Sequence, residues 1–369
     1  MKISIYAICK NESNFVDRFI ESAIDADVIV VCDTGSTDDT ISRLEAWRIR
    51  FPEKIKIHSI TVSPWRFDFA RNVSLGMVPP DVDVCVALDL DEVLTPGWRA
   101  ALETAWTPET TRLRYSYIWS WAAPGVPESV QLSDKIHSRT GYIWRHPCHE
   151  VLYNYVIAEV QTYTGEGSFG VHHHPDDSKP RAQYLSLLEL GTKENPWCDR
   201  SSYYLAREYF YYNRHEDAIA EFERHRSLPS LHWDAERASS HRHQAKALTH
   251  LGRLQEARDH FARATEKDPL YRNGWNDLAM ADYALRDWDA CYRSSLRAIS
   301  IDKDHGTYIM DQTEAFGPKA YDLAAIAAYN LGLLAESEKY ARIAVTMSPD
   351  DARLIKNLDS ILEKINEGK

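Results

Sequence analysis

The sequence predicts an α/β domain built on a parallel sheet, followed by an all-α domain of helical repeats. Short continuous apolar runs alternate with segments of helical spacing over roughly the first hundred residues, the order expected of a parallel sheet covered on both faces. Beyond about residue 180 the pattern is helical to the end, and small residues recur there at the interval of a repeat. At 369 residues the chain exceeds one ordinary domain. The boundary is placed in the polar stretch Pro175 to Pro180, giving domains 1–178 and 179–369.

The elements follow in order. Ile3 to Cys9 and Val28 to Cys32 read as strands buried on both faces, and Phe15, Phe19, Ile20 and Ala23 between them share one helical face. A second helix follows Asp38 and Asp39. Next come a strand from Ile55 to Ile60, a helix through Arg71 to Leu75 and a strand from Val82 to Leu88. Such sheets bind ligands at the carboxyl ends of their strands, which directs attention to the loops after Cys9, Cys32 and Leu88. From Arg112 to Val171 the segments are aromatic and β-rich, as in YSYIWSW and RTGYIWRH, and extend the same domain.

In the second half, Gly252, Ala257, Phe261, Ala264 and Pro269 fall at the spacing of a tetratricopeptide unit. Gly332, Ala344 and Pro349 repeat the same offsets. Leu205, Tyr209, Ala218 and Phe222 fit an earlier copy, and Trp275, Leu278 and Ala298 a degenerate one.

Composition narrows the function classes. With 44% hydrophobic and 27% charged residues the chain is globular and not disordered. A net charge of -12 argues against strong non-specific binding to nucleic acid, while leaving room for a nucleic-acid acceptor in a local groove. The six cysteines are scattered without a CxxC pair, which speaks against a zinc ribbon and for a reducing compartment. The N-terminal apolar stretch is too short for a signal sequence and no run of 18 apolar residues occurs, so a cytoplasmic protein without a membrane span is expected.

Four constellations carry chemistry. In ALDLDEVL, Asp89 and Asp91 stand at a strand end where two carboxylates can hold Mg²⁺ or Mn²⁺ against diphosphate oxygens. Alternation along the strand would point both the same way, and Glu92 is expected to matter much less. In VVCDTGSTDDT, capping of the following helix explains Ser36, Thr37 and Asp38, whereas Asp33 stands in a turn outside the core where it can meet a base N–H. In WRFDFARN, Arg71 lies beside two acidic loops and can bridge them or contact phosphate. In FGVHHHPDD, one of His172, His173 and His174 can return to the metal as a further ligand.

Together these segments resemble the family 2 glycosyltransferases of the GT-A fold. ICKNESNFVDRFIESA followed by VIVVCDTGSTDDT is similar to that family's nucleotide pocket. WRFDFARN, LDLDE, RHPCHEVL and the HHHP strand end resemble a narrower branch. It includes the sublancin-type S-glycosyltransferases and bacterial and phage proteins with C-terminal tetratricopeptide repeats. The resemblance implies a Rossmann-like nucleotide-sugar-binding domain with a UDP-sugar donor and Mn²⁺ or Mg²⁺. It implies that Cys9, Asn11, Glu12 and Asp33 hold the base, that Arg71 lies by the nucleotide and Asp89 by the ribose and metal, and that Asp91 ligates the metal. His173 best matches the histidine that completes the metal site. The usual family base follows a pattern absent here. Glu150 is the substitute expected, its pKa raised by the shielding of Trp144 and Tyr153, with an ion pair to Arg145 or Arg139 as its alternative role and Asp134 as the next carboxylate.

The activity expected is inverting transfer of a sugar to a hydroxyl or thiol on a macromolecule, a protein or peptide, in a bacterial or phage-infected cell. One alternative is transfer to a modified DNA base, which a basic groove of Arg112, Arg114, Arg139 and Arg145 would favour. Another is a binding scaffold carrying an inactive transferase domain. The repeats are expected to present the acceptor or to form a homodimer.

Overall fold

The computed structural model describes residues 1–123, 125–155, 158–164, 169–175, 184–302 and 313–367. The chain divides into two compact units, Met1–Gly191 and Thr192–Lys369. The boundary expected at residue 178 lies outside the described residues.

In the first unit the apolar runs become strands β1 (Ile3–Cys9), β2 (Val28–Asp33), β3 (Ile55–Ser59) and β4 (Val84–Ala87). They pair in parallel in the order β3-β2-β1-β4, with Ser4 opposite Val28 and Cys85. The helices between them are α1 (Val16–Ala23), α2 (Thr40–Arg50) and α3 (Phe67–Met77). Alternate residues of β1 feed two separate cores. Ile3, Ile5, Ala7 and Cys9 pack with Phe19 and Ile20 of α1, whereas Tyr6 packs with Val30, Leu75 and Trp144 on the other face.

Beyond β4 the sheet turns mixed. It continues through β7 (Val126–Ser138), β6 (Arg112–Ala123), β11 (Gly170–His173) and β5 (Glu92–Leu94), and β10 (Gln161–Tyr163) also pairs with β6. The β4–β7, β6–β7 and β11–β5 pairs are antiparallel. Helix α4 (Trp98–Ala105) buries Trp98 and Leu102 in the α1-side core. A separate hairpin, β8 (Tyr142–Arg145) with β9 (Val151–Asn154), brings Tyr142, Trp144 and Leu152 into the core on the α3 side. There Trp144 Nε1 donates to the Tyr6 hydroxyl at 2.9 Å, and Tyr6 lies 2.8 Å from His137 Nε2. His137 Nδ1 faces the Ser138 carbonyl, which can only accept, so Nε2 is the acceptor for Tyr6.

Helix α5 (Tyr184–Glu194) spans the division between the units. The second unit is helical: α6 (Asp199–Tyr211), α7 (His215–Ser227), α8 (Asp234–His250), α9 (Leu254–Lys267), α10 (Arg272–Ala284), α11 (Trp288–Ile299), α12 (Lys319–Asn330), α13 (Leu334–Met347) and α14 (Ala352–Glu367). The first eight form four helix pairs. The small and aromatic repeat positions are buried, among them Ala218, Phe222, Ala257, Phe261, Ala298 and Ala344. Each pair turns through one residue in the left-handed region: Asn213, Gly252, Arg286 and Gly332. The following N–H then closes back on a carbonyl of the first helix at 2.9–3.0 Å in all four turns, from Arg214, Arg253, Asp287 and Leu333 to Tyr209, Leu248, Asp282 and Ala328. Among the described residues no helix is long and apolar enough to cross a membrane.

Candidate active site

The loops after β1 and β2 are knitted together at the carboxyl edge of the sheet. Asn11, itself at φ 56°, accepts from the Thr37 N–H at 2.7 Å and donates its own N–H to Ser36 Oγ at 2.8 Å. The Glu12 N–H reaches Thr40 Oγ1 at 2.7 Å. Asp33, the last residue of β2, is only 1% exposed and accepts from the N–H groups of Gly35 and Ser36 and from the Ser36 hydroxyl. Cys9 Sγ lies 3.7 Å from it, and burial raises that thiol's pKa well above its ordinary value. Asp33 thus belongs to the core and shapes its own turn, correcting the expectation of an exposed turn residue. Of Ser36, Thr37 and Asp38, it is Asp38 that supplies the acceptor at the start of α2, taking the Thr40 N–H at 3.0 Å.

Arg71, buried on α3, is the hub. Its Nη2 donates to Asp89 Oδ1 at 2.8 Å, its Nε donates to Glu150 Oε1, and the guanidinium lies 5.0 Å over the Trp144 ring. Lys135 on β7 adds a second cation, 3.7 Å from Asp89 Oδ2 and 2.9 Å from Glu92 Oε1. Burial opposes the Asp89 charge, yet Arg71 and Lys135 outweigh it and hold this carboxyl well below the usual range.

Asp91 and His173 meet from different elements. Asp91 lies in the turn between β4 and β5, and His173 ends β11, with Nε2 3.5 Å from Asp91 Oδ2. His173 Nδ1 sits 3.2 Å from the Trp119 carbonyl, which fixes the proton on Nδ1 and turns Nε2 toward the carboxylate. Burial works against the imidazolium, but Asp91 raises the His173 pKa on balance. His174 instead stacks on Trp121 and His172 meets that ring edge-on, and burial shifts both down.

An acidic strand-end turn, a buried arginine between carboxylates and a glycine-containing turn closed by an aspartate occupy one edge of the sheet. Residues 4–108 match the model of glycosyl transferase family 2. The family 2 segment spans β1 to α4 and supports a glycosyltransferase activity. It contains Cys9, Asn11, Glu12, Asp33, Arg71, Asp89 and Asp91, whereas Lys135, Glu150 and His173 come from the chain that follows it. No curated protein sequence matches this one. Similar solved structures include MamA, at 19% identity, covering 46% of this chain and 89% of that one with a TM-score of 0.38. YrrB, described as a TPR protein with an unusual peptide-binding site, is 16% identical, with 48% and 84% covered and a TM-score of 0.41. A thermophilic TPR protein from Thermus thermophilus is 19% identical, with 48% and 88% covered and a TM-score of 0.33. At these scores the repeat architecture of the second unit rests on its own helices and turns.

Around the family 2 segment several expectations change. Asp89 and Asp91 do not alternate along a strand, because β4 ends at Ala87 and the two stand in a turn closed by the Glu92 N–H to the Asp89 carbonyl at 3.0 Å. Asp89 faces two cations, and among the described residues no three His, Cys, Asp or Glu side chains gather as a ready-made metal site. Glu92, expected to matter little, is 1% exposed and accepts from the Tyr117 hydroxyl at 2.7 Å, Lys135 at 2.9 Å and the Asp89 N–H at 3.0 Å. Glu150 is held by Arg71 in place of an apolar shield, and Tyr153 is exposed. Arg139 and Arg145 are not its partners: Arg139 donates to the Val78 carbonyl and Arg145 lies over Tyr153. The basic groove is not assembled either, since Arg112 is buried against Asp134, Glu159 and the Leu152 carbonyl. Lys135 was not singled out in the sequence. Its signal is weak, a lone lysine in the polar-looking strand SDKIHS, whose partners are visible only in three dimensions.

Proposed function

We propose that the protein transfers a sugar from a nucleoside diphosphate, UDP being the expected nucleotide, to a hydroxyl or thiol of a macromolecular acceptor, with inversion at the sugar carbon. The observation that carries this reading is the Asp91–His173 pair beside the Arg71-centred cluster at the strand ends of the family 2 segment. The pair fits a divalent ion. It offers one oxygen and one nitrogen donor with the imidazole already oriented, and Mg²⁺ or Mn²⁺ commonly takes one or two protein ligands and completes its shell with phosphate oxygens and water. When bound, the ion would offset charge on the departing diphosphate.

The chain's own residues do the rest. The interlocked loops at Cys9, Asn11, Glu12 and Asp33 form a preset wall for the base, positioned by β1 and β2. Asp89 sits by the ribose and keeps Arg71 and Lys135 in place near the diphosphate. The acceptor's oxygen or sulfur forms a bond to the sugar carbon as the bond to the diphosphate oxygen breaks, and Glu150 accepts the acceptor's proton. The repeat unit contributes the acceptor site. A cavity of about 250 Å³ lined by Phe210, Phe261 and Met280, with Lys246 and Asp277 at its wall, offers an apolar and charged anchor there.

Calorimetry with UDP, with and without Mn²⁺, tests the reading. Wild-type protein should bind UDP more tightly with Mn²⁺, and Asp91→Ala should lose that gain. Equal binding by Asp91→Ala and wild type in Mn²⁺ would remove Asp91 from the metal site, and no UDP binding by wild type would sink the transferase reading.

A further inference from the structure

Two tryptophans two residues apart on β6 should share one face of the sheet, since side chains alternate along a strand. They do not. Trp119 stacks on His173, with ring centroids 4.8 Å apart and planes at 28°. Trp121 meets His172 edge-on at 4.9 Å and stacks on His174 at 5.8 Å. His172 alternates with His173 along β11 and so points to the opposite side, which puts the two indoles on opposite faces. The pairing of β6 with β7 slips on both sides of Ser120, and such an irregularity re-aims the side chain that follows it. The chain therefore gives up regular pairing here, and as a result Trp119, with Tyr117 but without Trp121, faces the Asp91–His173 side.

Trp119 is 49% exposed, although tryptophan is among the most apolar side chains and a buried strand position would cover it. His173 stacks on the ring and Tyr117 lies tilted beside it, with ring centroids 6.0 Å apart, yet about half of the side chain stays exposed among the described residues. Its neighbours tell what that ring meets. His173, on which it stacks, lies 3.5 Å from Asp91, so Trp119 borders the Asp91–His173 pair, whereas the base-side loops follow β1 and β2. A nucleotide sugar with its base at those loops and its diphosphate at the pair brings its sugar, and not its base, to Trp119.

We infer that the exposed part of the Trp119 ring is the stacking platform for the donor's sugar ring, its aliphatic C–H face lying on the indole. Trp119 is then a binding residue that separates a nucleotide sugar from the free nucleotide. This inference rests on the nucleotide-sugar reading above, and the experiment keeps the two apart. Dissociation constants are measured by calorimetry, in Mn²⁺, for UDP, UDP-glucose, UDP-galactose and UDP-N-acetylglucosamine, on wild type, Trp119→Ala and Trp119→Phe. At least one sugar should bind wild type more tightly than UDP does. Trp119→Ala should weaken that sugar nucleotide by about 3- to 10-fold and leave UDP unchanged, and Trp119→Phe should keep most of the gain. UDP affinity also reports whether the variants are folded. Equal losses for UDP and UDP-sugar, no loss at all, or a wild type that gains nothing from any of the three sugars would overturn the platform. A wild type that binds no UDP would overturn the transferase reading itself.

Discussion

In the N-terminal unit five charged side chains join in one connected cluster, whereas in the repeat unit ion pairs link neighbouring helices. Arg71, Asp89, Glu150, Lys135 and Glu92 come from α3, the β4–β5 turn, the β8–β9 hairpin and two strands to form one connected cluster. In the repeats, Arg242 of α8 pairs with Asp277 of α10, Arg258 of α9 with Asp282 of α10, and Arg353 of α14 with Asp322 of α12. The first two tether the α8–α9 pair to the α10–α11 pair, and the third ties the final helix α14 back to α12. The contrast teaches that the same ion-pair chemistry serves two ends. Clustered, it gives a preorganised field at a strand edge where charge can develop. Dispersed, it fixes which helix packs against which.

The largest effect expected is on transfer. Glu150→Gln keeps the shape and removes the proton acceptor, so the rate to a hydroxyl acceptor should fall by about two to four orders of magnitude while donor affinity barely changes. A Gln variant with most of its rate would leave Glu150 as a partner of Arg71 only. Next is stability. Glu92→Ala strands Lys135, the Tyr117 hydroxyl and the Asp89 N–H, a loss of about 3–5 kcal/mol by chemical denaturation. The same change at Asp282, whose partner Arg258 is partly solvated, should cost about 1–3 kcal/mol. Equal losses would erase the distinction between cluster and tether.

Acid should sharpen the comparison further. Burial pushes His225 and His260 down to about 4 and His241 and His243 down to about 3, all in the repeat unit. Burial likewise pushes His137 of the first unit down to about 3. A histidine held below its unfolded pKa binds its proton more readily in the unfolded chain. Its contribution is therefore complete above about pH 6.5 and is lost as the pH falls toward the folded value. Amide exchange, corrected for its intrinsic pH dependence, should show α8 losing more protection than β1 between pH 7 and pH 5. The reverse order would refute the assignment. Smallest is a gain: Arg286→Gly should stabilise the repeat unit by about 0.5–1 kcal/mol, because glycine adopts the left-handed turn at no steric cost. A loss on thermal melting would mean that the Arg286 side chain, and not its backbone, governs that turn.

The first four strands and three helices were legible because each is a continuous apolar run or a 3.6-residue face. The helix pairs were legible from small residues at fixed offsets. The turn position itself was half-hidden, since Asn213 and Arg286 stand where Gly252 and Gly332 stand in the other pairs. Asp89 and Asp91 were readable as acidic residues at a strand end, but their directions were not, because the strand ends early and the turn sets them. The partners of Arg71 and the place of Lys135 were invisible in the sequence. They depend on β7 lying beside β4 and on the hairpin carrying Glu150 back over α3, and these long-range pairings leave no local signature.

The four left-handed turns also say how the second unit changes length. Each turn is sealed by its own main-chain hydrogen bond, so the connection inside a helix pair has no slack. The interval between successive turns nevertheless differs. It is longer from Arg286 to Gly332 than from Gly252 to Arg286, and the surplus lies between α11 and α12. Insertions and deletions should accordingly be accepted at the joints between pairs and refused within them, which makes the helix pair, rather than the residue or the single helix, the unit that is added or lost.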